Sequence, residues 1–321
     1  MPKMFTDLKR HALNGETMGT RWSALFHKPV DYDVVPVAAA MAAAVTEVDQ
    51  QMSTWKPDSD LMRLNSALPG VWIHCPEHLM IVLEMAISIG RASGGAFDIG
   101  VGDMVSAWGF GPTTADPAHI QAALSQPRRP AHALLELDMS GRRVRKSAPV
   151  TLDLSGIAKG YGVDRLTDVA RRFQISDALL SIDGELRGIG LQPDGTPWAI
   201  AIEVPDYTVR TPLTILTLHD GAVATSGDYR HWIDVGPKRL SHTMDPGRGG
   251  PLAQSPASVT VIAETCMAAD AWATALIVKG SSEGADLARQ MSLNALFVER
   301  EGDGLRQTAV GSLFNSGSVE M

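Results

Sequence analysis

Apolar and polar positions along the chain change their period more than once, and the changes mark out the elements. An apolar–polar run at Arg21 to His27 reads as a strand. Val37 to Met52, Ala-rich and full of good helix formers, predicts a helix. A second helix is predicted over Glu77 to Ala92, between Pro76 and the break at Ser93-Gly94-Gly95. From Leu134 onward short β-rich runs take over, at Leu134 to Asp138, Arg143 to Lys146 and Leu179 to Asp183, with a helix at Gly160 to Phe173. The turn signal Gln192-Pro193-Asp194-Gly195-Thr196 precedes an alternating strand at Trp198 to Val204. Further strands fit Leu213 to Leu218, Ala222 to Thr225, His231 to Val235 and Ser258 to Ala263, before a helix at Ala268 to Val278. Strands and helices mix without strict βαβ alternation, which favours an α+β fold over a doubly wound one.

The 321 residues, 45% hydrophobic and 20% charged, are an ordinary globular composition that can fill one large or two coupled cores. A net charge of -8 gives no basic footprint for nucleic acid. The one dense basic cluster, Arg128, Arg129, Arg142, Arg143, Arg145 and Lys146, suits a solvated hairpin face, with a docking patch as the other reading. Cys75 and Cys266 stand far apart and suggest no disulfide framework or thiolate metal site. No segment approaches the roughly 20 apolar residues of a membrane span; the longest small-apolar stretch, Val34 to Val45, is broken by Pro36. Met1 to Thr17 carries charged residues throughout and lacks the apolar core of a secretory signal, so a cytoplasmic protein is expected as written, periplasmic if a leader has been removed.

Candidate chemistry lies in four places. In Cys266-Met-Ala-Ala-Asp270-Ala-Trp-Ala-Thr274 a helix would put the Asp270 carboxylate and the Thr274 hydroxyl on one face, two oxygens that suit a hard cation. The same spacing also suits a carboxylate near a helix start and a Thr bonded back to a carbonyl. Asp153-Leu-Ser155-Gly156-Ile-Ala158-Lys159-Gly160 leads through small residues into a helix, where a diphosphate could approach backbone N–H groups and Lys159. It is not a P-loop, and Ser155 fits a plain helix cap equally well. Gly94 to Asp98 and Trp108 to Pro112 supply loops with aromatics that could grip a planar ring or close a core. Ser241-His242-Thr243-Met244-Asp245-Pro246 offers a His and a carboxylate for acid–base work.

Taken together and in this order, these segments resemble the FAD:protein FMN transferase family, also called the thiamine-biosynthesis lipoprotein family. The resemblance runs from Met18-Gly19-Thr20-Arg21-Trp22 to about Gly280. It rests on Met52 to Asn65, Gly95-Ala-Phe-Asp98, Asp153 to Gly160, Pro193 to Trp198, Ala224 to Arg230, Ser241 to Pro246 and Ala269 to Thr274. Residues 1–17 would be an N-terminal extension and 281–321 a C-terminal helix and strand segment of one flavin transferase domain. The implied fold is α+β, mixed or antiparallel sheets with flanking helices, with FAD and metal in a cleft between two coupled lobes.

The resemblance implies Mg2+ held by the Ala158 carbonyl, Asp270 and Thr274. It also implies FAD contacts at Met18, Trp55, Ala96, Phe97, Asp98, Ser155, Tyr161, Met244 and Ala273, with Lys159 near the phosphates. The implied reaction is attack by a Thr or Ser hydroxyl of an acceptor protein, a redox or electron-transfer subunit, on the flavin-side phosphorus of FAD, with AMP leaving. His242 matches the His of a family segment and becomes the candidate base. Trp55 stands where the family commonly has Tyr, Gly100 and Asp103 replace Thr and Pro, and Ser181-Ile-Asp183-Gly184-Glu185 departs from an Asn-x-Gly-Gly pattern. The rival readings are a Mg2+-dependent FAD pyrophosphatase and a non-catalytic flavin-binding assembly protein.

Overall fold

The computed structural model describes residues 8–125, 127–229, 232–235, 238–302 and 304–315. Strands β1 (Leu8–Thr17) and β2 (Thr20–Pro29) form a hairpin through Met18 and Gly19, both at positive φ, as a two-residue turn between twisted strands requires. Helix α1 (Val35–Met52) begins with Pro36 in its first turn and buries Val37, Met41, Ala44, Val45, Val48 and Met52, spaced to line one face. Then follow α2 (Asp60–Ser66), β3 (Trp72–His74), α3 (Glu77–Ala92), α4 (Gly102–Ala107), α5 (Pro117–Ser125), β4 (Leu135–Asp138) and β5 (Arg143–Lys146). Helix α6 (Ala158–Arg172) leads into β6 (Ala178–Ile182), β7 (Glu185–Ile189), β8 (Trp198–Glu203), β9 (Pro212–Leu218) and β10 (Gly221–Gly227). The remainder is β11 (Trp232–Val235), β12 (Lys238–Ser241), β13 (Met244–Asp245), β14 (Gly250–Pro251), β15 (Ser258–Ala263), α7 (Cys266–Gln290), β16 (Asn294–Glu301), β17 (Gly304–Val310) and α8 (Ser312–Asn315).

An eight-stranded sheet in the order β1-β2-β6-β7-β10-β15-β16-β17 organises the chain, and every pairing in it is antiparallel. The α+β expectation holds, with antiparallel sheets throughout the described residues. Alternate residues of each strand serve the two faces. Val259, Val261, Ala295 and Phe297 pack under the helices, while Ile262, Leu296 and Val298 join Ile200, Ile202, Leu216 and Leu218 of the β8–β9 hairpin on the other side. The small three-stranded sheet β3-β5-β4 carries only part of the basic cluster: Arg143 and Arg145 lie on it, Lys146 is buried and donates to Asn65 O at 2.7 Å, and Arg128 pairs with Asp103 of α4 instead of joining a solvated hairpin face. On that sheet Arg143 pairs with Asp138 at 2.8 Å and Arg145 with Glu136 at 2.5 Å, and both guanidiniums lie over the Trp72 ring. Among the described residues no helix is long and apolar enough to cross a membrane.

Several elements differ from the sequence expectation. The strand expected to run through Asp183 stops at Ile182, and Asp183 turns at φ 61° into β7. The last helix starts at Cys266 and runs to Gln290, interrupted by Gly280 at φ 75°. His231, placed at the start of a strand from sequence, and Arg230 lie outside the described residues.

The crossing of α6 and α7 places the site. Asp164 of α6 accepts the N–H groups of Cys266 at 3.0 Å and Met267 at 2.9 Å, capping the start of α7, while Arg187 pairs with the same carboxylate. One turn earlier on α6, a Cβ on Gly160 would lie 2.7 Å from the Cys266 carbonyl carbon and 2.8 Å from Asp270 Cβ. Gly160 is therefore the residue that lets the helices touch. Gly160→Ala should destabilise the fold by about 1–3 kcal/mol through overpacking, read as a lower urea midpoint. Gly304→Ala, whose Cβ would meet only Glu301 O at 3.6 Å, should stay within about 0.5 kcal/mol of the parent; equal effects at the two glycines would refute the close-approach argument.

Candidate active site

A cleft of about 500 Å³ opens where α6, α7 and β10 meet the loops after α3 and around His242. Its first wall is the segment after α3. Ser93 Oγ accepts Phe97 N–H at 3.1 Å, and Asp98 Oδ1 accepts the N–H groups of Gly100 and Ala131 at 2.8 and 3.0 Å. Burial nevertheless pushes the Asp98 carboxyl above its ordinary pKa, against those two hydrogen bonds. Ile99 O accepts Asp153 N–H at 2.8 Å, tying this wall to the next segment.

That segment, 152–157, is held from outside by Asn65, whose side chain both donates to Leu152 O at 2.9 Å and accepts Leu152 N–H at 2.8 Å. Asp153 Oδ1 accepts Ser155 N–H at 2.8 Å, while its buried Oδ2 has no hydrogen-bond partner among the described residues, and burial raises its pKa. Ser155 itself is exposed to the cleft and donates no side-chain cap to α6, whose N-cap position is Ile157.

Charge concentrates at the α6–α7 crossing. Lys159 Nζ lies 2.9 Å from Glu185 Oε1 and 3.3 Å from Asp183 Oδ2. Burial opposes its charge, but Glu185, Asp270 and Asp183 outweigh that cost and hold the ammonium above the ordinary lysine range. Asp270 is 5% exposed and accepts Gly160 N–H on Oδ2 at 3.0 Å. Its pKa is pushed up to about 7, first by burial and then by Glu185, with Lys159 and the Gly160 hydrogen bond working against the rise. One turn on, Thr274 faces the same cleft, and its hydroxyl lies 3.3 Å from Ser226 Oγ on β10. A Cβ on Gly156 would come within 3.0 Å of Thr274 Oγ1, so the glycine keeps space open beside that hydroxyl.

These donors fit a hard cation. The pair is all-oxygen, and the buried Asp270 carboxylate sits beside Glu185 in surroundings that favour added positive charge. Ala158 opens α6 directly before Lys159. Among the described residues no group of three or more His, Cys, Asp or Glu could hold a metal ion by itself. Asp270 and Thr274 would therefore bind a cation together with ligand oxygens and water.

Of the residues singled out from sequence, Ala96, Phe97, Asp98, Ser155, Lys159, His242, Met244, Asp270 and Thr274 line this cleft. His242 stands edge-on to Phe110, ring centroids 6.4 Å apart. Ala158 and Ala273 are buried at the crossing, and Met18 packs against the large core cluster. Trp55 is 64% exposed, and the Tyr161 hydroxyl is 2.7 Å from His78 Nδ1; neither lines the cleft. Asp153, Glu185, Arg210, Thr225 and Ser226 line it without having been singled out. Asp153 and Ser226 fall inside segments that carried the family resemblance, so a signal for them was present.

The sequence pattern of the ApbE family matches residues 18–297. A protein of Vibrio cholerae named FAD:protein FMN transferase is 34% identical over 94% of this chain and 90% of its own length. The solved structure of the flavin transferase ApbE from Vibrio cholerae superposes with a TM-score of 0.85 at 33% identity, covering 96% of this chain and 99% of that one. The apo flavinyl transferase ApbE of Pseudomonas stutzeri gives a TM-score of 0.84 at 32% identity, over 98% of both chains.

The Lys159–Glu185 pair is open to a direct test. Lys159→Met leaves the buried Glu185 carboxylate without its cation and should cost about 3 kcal/mol of stability. Adding Glu185→Gln should recover part of that loss, so that the two changes are strongly non-additive in a denaturation cycle. Additive losses would mean that the pair contributes no coupling.

Proposed function

The chain belongs to the ApbE family, and on that premise we propose that it is an FAD:protein FMN transferase. It moves the FMN half of FAD onto a Thr or Ser hydroxyl of an acceptor protein and releases AMP. The observation that carries this reading is the α6–α7 crossing, which sets one carboxylate and one hydroxyl on a single helix face opposite a lysine at a helix start. A diphosphate is met by that combination of an ammonium and oxygen ligands for a cation.

Mg2+, when bound, would neutralise charge on the diphosphate and favour departure of AMP. The rest falls to the chain's own residues. Asp270, Thr274 and the Ala158 carbonyl would hold the cation. The ammonium of Lys159 would offset charge building on the transferred phosphoryl group, whereas the Ala158 and Gly160 N–H groups at the start of α6 are taken by Leu154 O and Asp270. Phe97 and Met244, both buried in the cleft wall, would pack against the flat parts of the dinucleotide. The acceptor oxygen bonds to the flavin-side phosphorus as the bond to the AMP oxygen breaks, and His242 takes the hydroxyl proton. No nucleophile from the enzyme is required, because positioning and electrostatics dominate phosphoryl transfer.

Incubating the protein with FAD, Mg2+ and a candidate acceptor domain should yield a fluorescent acceptor band in a denaturing gel together with AMP. Asp270→Ala and EDTA should each abolish both products. AMP with no labelled band would replace transfer by hydrolysis of FAD, and FAD binding with neither product would leave a flavin-binding protein. His242→Asn should lower transfer by about a hundredfold or more, the size of a lost general base; an unchanged rate would remove His242 from the chemistry.

A further inference from the structure

A neutral hydroxyl that turns a lone pair to a cation must direct its own proton elsewhere. In a helix the usual recipient is the carbonyl one turn back. Thr274 has another partner: Ser226 Oγ lies 3.3 Å from Thr274 Oγ1, across the gap between α7 and β10. Ser226 is fixed there by the sheet, paired in register with Val259, and its neighbours Thr225 and Thr260 join their hydroxyls at 2.8 Å.

Gly156 leaves room beside the Thr274 hydroxyl, where an added Cβ would stand 3.0 Å from Oγ1 and 3.4 Å from Cγ2 of Thr274. Thr274 lines the same cleft as Asp270 and Ser226. We propose that Ser226 is a positioning residue of the cation site: its Oγ accepts the Thr274 proton and so aims the Thr274 lone pair at the cation. This rests on the reading of Asp270 and Thr274 as cation ligands. The lower charge of a hydroxyl ligand makes its orientation matter more than it would for a carboxylate, which presents lone pairs on two oxygens.

The test uses the full chain and Mn2+ alone, with free Mn2+ counted by electron paramagnetic resonance, repeated with FAD present. Ser226→Ala should weaken Mn2+ binding by about tenfold, the lower end of losses for outer-shell partners of metal ligands. Ser226→Thr, which keeps the hydroxyl, should restore most of it. Ser226→Ala combined with Thr274→Ala should bind no more weakly than Thr274→Ala alone. Binding that Thr274→Ala weakens and Ser226→Ala leaves unchanged would overturn the role of Ser226 while sparing the site. Additive losses in the double variant would overturn it too, since Ser226 would then act independently of Thr274. A parent protein that binds no Mn2+ under either condition, or binding indifferent to Thr274→Ala, would remove the site itself and the proposal with it.

Discussion

The contact between Gly160 and the first turns of α7 is the constraint on which the rest depends. Two helices from distant parts of the chain approach until a single Cβ would collide with the Cys266 carbonyl. That closeness lets a backbone N–H of α6 reach a side chain of α7, and Asp270 receives it at 3.0 Å. The Asp164 carboxylate secures the same crossing by capping α7. A buried carboxylate costs free energy unless it is hydrogen-bonded or neutralised. Asp270 has one such hydrogen bond, together with the Lys159 ammonium nearby, and its raised pKa shows that these do not fully compensate burial beside Glu185. Helix packing thus places at this point a carboxyl whose charge would be relieved by a proton or by a bound cation.

Around this point the cleft is built from elements tied to one another by hydrogen bonds. Asn65 of α2 clasps Leu152, Ile99 accepts Asp153 N–H, and Ser93 accepts Phe97 N–H, so the walls are braced by hydrogen bonds from behind. Rigid support of this kind lowers the cost of holding a ligand in one geometry. The opposite side is built from β10 and the β8–β9 hairpin, whose apolar side chains pack on the sheet face away from the helices. Sheet alternation thus gives the cleft a floor whose position is fixed by register rather than by loop conformation.

Much of the fold was legible from the chain alone, and the places where it was not have physical reasons. Glu77–Ala92 and Ser258–Ala263 match the expected bounds because their apolar patterning is strong, and Arg143–Lys146 because Ser140-Gly141 and Ser147 to Pro149 punctuate it. Leu8–Thr17 escaped because, although burial alternates from His11 to Thr17, the inward positions are His11, Leu13, Gly15 and Thr17, of which only Leu13 is apolar, so the sequence shows no apolar–polar alternation. The run of α7 on past Val278 escaped, the helix of the 281–321 segment being expected apart from it, because Gly280 and the polar residues after Val278 imitate a helix end. At the site, the residues inside one helix or loop were legible, since local spacing puts Asp270 and Thr274 on one face. The pairings across the fold were not. Lys159 meets Glu185, and Thr274 meets Ser226, because of strand register and helix crossing, which a single sequence does not encode as spacing.

The choice of a hydroxyl at position 274 follows from the charge already in the cleft. Asp98, Asp153, Asp183, Glu185, Glu203 and Asp270 line it, against Lys159 and Arg210. A further carboxylate one turn from Asp270 would add like-charge repulsion to a group whose pKa is already about 7. It would also bind a divalent cation more strongly in the absence of any other ligand. A threonine contributes an oxygen without a charge, so that much of the cation's binding energy is left for oxygens arriving with a phosphate ligand. On the proposed reading, the excess of carboxylates would repel a bare anion and accept the same anion once it is accompanied by a divalent cation. Ligand and cation would then be coupled through the cleft's own charge, and the neutral Thr274 would keep that coupling from being satisfied by the cation alone.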